Sequence, residues 1–338
     1  MTEIAGAGMA GLVTAARARQ LGADVIVYEK GGRAGGSMLL SSGVVWRHLR
    51  FEDFREDCPD GDAGLQRLIW ERLDESLAWL ESTTGVRPLL ADTENPRTSG
   101  RRYEPRELTA ALVPEAGEVR LGQPFPSAER LVLATGGFPV RVARDRGLLV
   151  RSNPWSEGDG LDYARGLGAA TAGDLGELYA RAMPAPPARI DESGYVRLSQ
   201  LYGGRARVTN DRGEEFFPQA PAWHESDLAQ AIARQPNGAA WFELDDSAEP
   251  KVQAAREAGG EVVETDGRVR VHVVAGVTHT LGGLRVDERA RVLREDSTPI
   301  DGLLAAGVDV GGIASGGYAS GLAQALVLGL VAAETLAS

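Results

Sequence analysis

The chain has 338 residues, 43% hydrophobic and 25% charged, which is enough for two domains with their own cores and ordinary for a globular protein. A net charge of −12, with no Lys/Arg cluster interleaved with aromatics, excludes nucleic acid as an expected partner and disfavours docking on anionic membranes. The lone cysteine, Cys58, excludes an intramolecular disulfide and a cysteine-based zinc site, and no metal site is expected.

In chain order, the first predicted unit is a strand over Met1–Ala5, a turn, a helix over Met9–Leu21 and a strand over Ala23–Glu29. The turn reads Gly6-Ala-Gly8-Met-Ala-Gly11, and Glu29 follows Gly6 by 23 positions, near the ~20 of a dinucleotide fingerprint. Gly6 permits the tight turn from strand to helix, Gly8 lets the backbone approach a pyrophosphate, and Gly11 lets the helix lie close on the sheet. The helix N-terminus offers its first N–H groups to phosphate, and Glu29 can accept from ribose hydroxyls. A bound dinucleotide is expected. The fingerprint begins almost at residue 1, which leaves no room for a signal peptide, so a cytoplasmic location is expected.

The loop Gly31–Ser37 comes next. Leu65, Ile69, Leu73, Leu77 and Leu80 then predict an amphipathic helix that packs on the core and stops near Gly85. Residues 91–128, rich in proline, read as weakly patterned. Leu131–Ala134 reads as a buried strand that meets a ligand at Thr135-Gly136-Gly137, and Asn153–Leu161 opens a helix. Pro184, Pro186 and Pro187 form a hinge into a piece with short strands and one polar helix, Ser226–Arg234. The first pattern then returns, with a strand at Leu303–Ala306, glycine turns from Gly307 to Gly317 and a long helix from about Ser320. Its apolar run, Leu322–Ala333, is interrupted by Gln324 and is too short to span a bilayer. The first strand is unusually short and polar for a central parallel strand.

Glycine turns at both ends of the chain are more than one nicotinamide dinucleotide needs, and they suit FAD, whose two ends lie far apart. Six stretches carry the resemblance: Gly6–Gly11, Gly35–Gly43, Ala134–Phe138, Gly158–Gly160, Thr278–Gly283 and Ala305–Gly312 followed by Gly316–Gly329. Together they resemble the FAD-dependent flavoprotein family of fumarate reductases and succinate dehydrogenases, which includes ketosteroid and tricarballylate dehydrogenase-like members. The resemblance implies an α/β fold: a Rossmann-like FAD-binding domain over 1–183 and 280–338, with an inserted α+β capping domain over 184–279.

It also implies site residues. Gly6, Gly8, Ala10, Gly11, Glu29 and Lys30 would hold the ADP half. Gly36, Ser37, Ser42 and Gly43 would lie along the phosphates and flavin, and Thr135, Gly136 and Asp159 on the adenosine side. Gly307, Asp309, Ser320, Gly321 and Leu322 would face the ribityl chain and the flavin pyrimidine end. The loop after Gly36 has no histidine, so FAD is expected to be non-covalent. The implied activity moves hydride between flavin N5 and a C–C bond beside a carbonyl or carboxylate, on a small-molecule substrate, with an electron partner that the sequence leaves open.

His279 matches the family's active-site histidine, either as a substrate-oxygen ligand or near the flavin C2 carbonyl. Tyr318 could donate to a substrate carbonyl or act as acid/base, and Arg181 could hold a carboxylate. Tyr179 and His224 complete the candidates. The chain departs from the family at two cationic positions: Glu225 falls near the proton-delivering arginine, and Ser315-Gly316-Gly317 replaces the substrate-carboxylate arginine. Dicarboxylate binding loses charge-assisted hydrogen bonds there. An isomerase, an amine or alcohol oxidase and a non-catalytic flavoprotein remain alternatives. His48 and His272 have no supporting context, and Cys58 is expected to be inert.

Overall fold

The computed structural model describes residues 1–245 and 248–338. Chain order gives β1 (Thr2–Ala5), α1 (Met9–Gln20), β2 (Val25–Glu29), β3 (Val44–His48), α2 (Phe51–Asp57), α3 (Ala63–Thr84), β4 (Thr98–Arg102), α4 (Pro105–Ala116), β5 (Val119–Leu121) and β6 (Leu131–Leu133). Then come α5 (Pro139–Arg146), β7 (Leu149–Val150), α6 (Asp159–Gly166), β8 (Thr171–Ala172), β9 (Leu178–Pro184), β10 (Arg207–Thr209), α7 (Ser226–Ala233), β11 (Ala239–Leu244), α8 (Pro250–Glu257) and β12 (Val262–Thr265). The remainder is β13 (Arg268–Thr280), β14 (Gly283–Leu284), β15 (Arg291–Leu293), β16 (Pro299–Ala305) and α9 (Gly321–Ala337).

Two compact units result. One comprises Met1–Phe138, Trp155–Glu177 and Thr280–Ser338, and the other Pro139–Pro154 with Leu178–His279. The second unit therefore takes more chain than the 184–279 expected from the hinge prolines. The cause is strand pairing: β7 and β9 both pair with β13, which draws their segments into the same sheet.

In the first unit a six-stranded sheet runs in the order β15-β16-β6-β1-β2-β5. The pairs from β16 to β5 are parallel, and β15 is antiparallel to β16. Leu133 is in register with both Ala5 and Ala305, so the first and last strands of the α/β pattern flank one central strand. This is the Rossmann-like arrangement that the two glycine-rich ends imply. The short β1 works as a central strand because Ile4 and Ala5 are fully buried and the amides of its first two residues, Thr2 and Glu3, donate to Asp24 O and Arg130 O on its two neighbours' sides.

Helix α9 is apolar around most of its circumference, and such a helix is stable only inside a core. It packs on α1, where Thr14 Oγ1 donates to Gly329 O at 3.1 Å and a Cβ on Gly329 would lie 2.9 Å from Ala10 O. Among the described residues no helix is long and apolar enough to cross a membrane. Helix α3 takes the predicted face: Leu65, Ile69, Leu73, Leu77 and Leu80 are all buried. Asp62 caps its first turn through Leu65 N, and Gly85 ends it in the left-handed region.

Residues 91–128, read from sequence as weakly patterned, hold β4, α4 and β5. Pro105 stands in the first turn of α4, where a missing N–H costs nothing, while Glu104 caps Glu107 N and Leu108 and Leu112 anchor the helix. Pro105 starts this helix and Pro114 lies inside it, so the prolines do not exclude a helix here. The second unit is built on an antiparallel sheet, β10-β11-β13-β12. Along β13, Val269, Val271, Val273, Ala275 and Val277 are buried on alternate positions. That unit holds α5 and α8 as well as the one helix expected there, α7.

Candidate cofactor site and substrate-side residues

The three glycines of the first turn do different physical work. Gly6 has φ +102°, and a Cβ there would fall 2.2 Å from Ala134 O. A Cβ on Gly11 would fall 1.9 Å from Gly6 O, so both are fixed by the protein's own backbone. At Gly8 the nearest heavy atom to such a Cβ is Gly36 Cα at 3.9 Å, which is ordinary contact distance. Gly8 is also the N-cap of α1 and has no side chain to satisfy the first helical amides. An open backbone at an uncapped helix N-terminus fits a pyrophosphate, and FAD supplies one. Gly36 lies over this turn, and Gly35 N donates to Ala7 O at 2.7 Å.

Glu29 ends β2, almost fully buried, with Oε2 accepting from Ala7 N at 2.9 Å and Oε1 from Gly31 N at 2.7 Å. A carboxylate has about four lone-pair sites, so these two amides fix its direction and leave capacity for ribose hydroxyls. Lys30 Nζ is ion-paired with Asp159 at 2.7 Å and Glu157 at 2.9 Å. Burial works against its charge, but these hydrogen bonds outweigh it and raise the ammonium above its ordinary pKa. The two adenosine-side candidates Lys30 and Asp159 thus bind each other and draw the start of α6 to the end of β2. Beside them Trp155 covers Gly31, whose Cβ would fall 2.3 Å from the indole.

Asp309, in the 3₁₀ turn Gly307–Asp309 after β16, reaches across to the turn after β6. Its Oδ2 accepts from Thr135 N, and its Oδ1 accepts from Thr135 Oγ1 at 2.8 Å and Gly137 N at 3.1 Å. The side chain is 2% exposed, and burial pushes its pKa up despite these donors and that of Gly136. Asp309 is therefore a clamp between the two glycine turns. Gly307 lies against Ala10, where an added Cβ would come within 2.9 Å of the alanine methyl. Gln324, the one polar residue in the apolar run, donates to Gly307 O at 2.8 Å and Val310 O at 3.0 Å. A buried amide in such a run is a sequence signal for a backbone partner.

Ser320 is the N-cap of α9 and accepts from Ala323 N at 3.2 Å; Gly321 and Leu322 form the first turn. Its hydroxyl also meets Trp46 N at 3.4 Å, which ties β3 to that helix. Gly43 is pressed on Tyr103, whose N–H donates to Gly43 O at 2.9 Å. Ser42 is exposed, with its carbonyl accepting from Arg102 Nε at 3.1 Å, and Ser37 is half-buried. Tyr318, two residues ahead of Ser320, is half-buried with its ring 5.3 Å from that of Trp46.

His48 gains a context that the sequence withheld. It is 1% exposed, with Nε2 3.0 Å from Asp57 Oδ2. Nothing in the nine-residue spacing announces this pair, because it needs β3 and α2 to fold back on each other. Cys58 is fully buried and its thiol is pushed up to about 12, chiefly by burial, so it is unreactive.

The second unit brings Tyr179, Arg181, His224 and His279 together. Tyr179 and Arg181 lie on β9, which pairs with β13, and β13 carries His279. The Tyr179 ring centroid is 5.0 Å from that of His279, and the Arg181 guanidinium lies 5.0 Å over the same tyrosine. Arg181 also donates to His224 O. His224 is buried, and its Nδ1 accepts from Ser226 N at 3.1 Å. Glu225 follows with φ +52° and accepts from Gly204 N at 3.3 Å. Burial pushes its carboxyl up, with Gly203, Gly204 and Arg181 opposing. Arg151 supports the neighbour of His279 by donating to Thr278 Oγ1 at 2.8 Å. His272 stands apart on the outer face of the sheet, stacked on Trp241 and between Asp211 (3.0 Å) and Glu261 (3.1 Å). Among the described residues no group of His, Cys, Asp and Glu is arranged to hold a metal ion.

Comparison with known proteins agrees with this geometry. Residues 4–47 match the NAD(P)-binding Rossmann-like domain family, and residues 102–321 match the FAD binding domain family. The NADH:fumarate oxidoreductase of Klebsiella pneumoniae is 23% identical over 443 positions, covering 99% of this chain and 47% of that protein. The probable fumarate reductase Ifc3 of Shewanella frigidimarina is 24% identical, covering 99% of this chain and 74% of its own length. The chain thus spans about half the length of the Klebsiella relative. A flavocytochrome c3 fumarate reductase in its open conformation superposes with a TM-score of 0.74 at 22% identity, covering 100% of this chain and 78% of that one. The 3-ketosteroid Δ1-dehydrogenase of Sterolibacterium denitrificans, in complex with 1,4-androstadiene-3,17-dione, gives 0.74 at 15% identity and covers 99% of both chains. With the FAD binding domain match spanning well over half of its residues, on a sheet whose turns suit that cofactor, the chain belongs to the FAD-dependent flavoprotein family of the fumarate reductases and succinate dehydrogenases.

Proposed function

We propose that this protein is an FAD-dependent oxidoreductase that desaturates, or saturates, a C–C bond next to a carbonyl, with a ketone or enone favoured over a dicarboxylate. One observation carries the reading: the segment leading into α9 presents a phenol, Tyr318, ahead of an apolar helix N-terminus and has Ser315, Gly316 and Gly317 in place of a cation. A phenol recognises a neutral carbonyl oxygen by donating one hydrogen bond, whereas a carboxylate calls for charge-assisted partners. When bound, FAD supplies hydride exchange at N5. Tyr318 donates to the substrate oxygen and stabilises the negative charge that develops there, and the dipole of α9 favours the same sign of charge. His279 is proposed as a substrate-side residue, and Arg181 as the brace of the His224 turn. A cytoplasmic location belongs to the same proposal, and fractionation of the producing cells checks it.

The test mixes the holoprotein, photoreduced without oxygen, with 4-androstene-3,17-dione or fumarate, and the oxidised holoprotein with a primary amine, while flavin absorbance is followed. The expected result is re-oxidation by the enone, slowed about 10²-fold by Tyr318→Phe, the loss usual for one oxyanion donor. Response to fumarate alone would overturn the ketone preference. Reduction of the oxidised protein by the amine would overturn the C–C reading. NADH, the donor in the name of the Klebsiella relative, is the first electron source to test.

No histidine stands in the Ser37–Ser42 loop, so FAD is proposed to be held without a covalent bond. Acid precipitation should leave the flavin absorbance in the supernatant. A yellow pellet would overturn this.

A further inference from the structure

The loop that carries Tyr318 rests on a device that the proposed reaction does not itself use. His48 ends β3 and lies 3.0 Å from Asp57, the last residue of α2. Its ring stacks on Phe54, with centroids 4.9 Å apart at 17°, and meets Trp46 at 5.3 Å; Trp46 in turn meets Tyr318 at 5.3 Å. On the backbone side the contact is closer still. A Cβ on Gly317 would fall 1.6 Å from Asp57 O and 3.2 Å from Cys58 Sγ, so the chain just before Tyr318 lies flat on the end of α2. Gln66 extends the grip by donating to Cys58 O at 3.0 Å and Ile313 O at 2.8 Å, and Asp62 N donates to Gly312 O at 2.7 Å.

We infer that His48 and Asp57 are positioning residues for Tyr318: the pair fixes the end of α2 against β3, and that end together with Trp46 sets where the phenol points. The inference rests on the carbonyl-donor reading of Tyr318. Core packing alone would be met by an apolar side chain, since a buried imidazole–carboxylate pair is a costly way to fill space. The pair instead supplies direction. One hydrogen bond holds the last residue of a short helix, where an apolar contact would let it slide. Burial lowers the imidazole below its ordinary pKa, with Asp57 and Asp53 opposing and Arg97 adding to the effect. At neutral pH an uncharged ring therefore donates to the carboxylate.

The experiment is a double-mutant cycle on the FAD-loaded protein, read as the rate at which 4-androstene-3,17-dione or fumarate re-oxidises the reduced flavin. Hydrogen exchange of the 316–322 amides is measured alongside. His48→Gln and Asp57→Asn, which keeps the side-chain shape, should each slow re-oxidation on the order of tenfold, as a misplaced donor does, and speed exchange in 316–322. In a Tyr318→Phe background His48→Gln should cost less than about twofold, because its effect passes through the phenol. Equal slowing in both backgrounds, or wild-type rate and exchange in both single variants, overturns the positioning role. If Tyr318→Phe itself runs at the wild-type rate, the carbonyl-donor reading falls and takes this inference with it, a result that needs no change at His48.

Discussion

Gly11→Ala should yield a protein that loses both FAD and stability, whereas Gly8→Ala should lose FAD and keep its stability. The contrast follows from what each added methyl would meet. At Gly11 it would enter the Gly6 carbonyl at 1.9 Å, a backbone atom that cannot turn aside. Helix α1 would have to lift off the turn and disturb its packing on α9, at a cost of about 1–3 kcal/mol for overpacking. Gly6→Ala adds a left-handed φ to a 2.2 Å clash, so its loss should reach roughly 2–5 kcal/mol. At Gly8 the methyl has room, with 3.9 Å to its nearest neighbour and φ −77°. Thermal unfolding without added FAD should therefore leave Gly8→Ala close to wild type while FAD titration shows affinity at least tenfold weaker. A Gly8→Ala protein that binds FAD like wild type would show that the pyrophosphate does not approach this backbone.

Asp309→Asn should cost roughly 2–4 kcal/mol, because one face of the new amide turns N–H groups toward donors in the turn after β6. Thr135 N, Thr135 Oγ1 and Gly137 N all point at the carboxyl oxygens. The pH dependence has a definite sign. Burial raises the Asp309 pKa above its unfolded value, so folding favours the protonated form. Its contribution is complete below the unfolded pKa near 3.8 and is lost as pH rises through the raised value. The stability gap between wild type and Asp309→Asn should accordingly widen as denaturant melts are moved from pH 7 towards pH 4. A gap that narrows over that range would mean that the donors, not burial, control this carboxyl.

The parts of the fold that were legible in the sequence are those in which chemistry and period coincide. Gly6, Gly11 and Glu29 are read from spacing because a strand–turn–helix leaves few residues able to satisfy it. Leu65 to Leu80 are read from period because α3 buries one face only. What escaped depends on distant partners. Helix α4 is anchored by two leucines and framed by prolines, so its local signal is weak while its packing is firm. The His48–Asp57 pair is invisible until β3 and α2 meet. The extent of the second unit escaped because the two-residue strand β7 has no pattern of its own and exists only by pairing with β13. Asp309 was assigned to the cofactor on resemblance. Its side chain is occupied by the neighbouring turn, a role that only the register of β16 with β6 reveals.

The pairing of β6 with β16 also has a temporal meaning. β1, α1 and β2 leave the ribosome before β16, the strand that extends their sheet beyond β6, and before α9, the helix that covers α1; both follow the entire Leu178–His279 segment. During translation the nascent Gly6–Gly11 turn therefore waits without Asp309 or Gln324 to brace it, and the braced nucleotide turn forms only once both have been made.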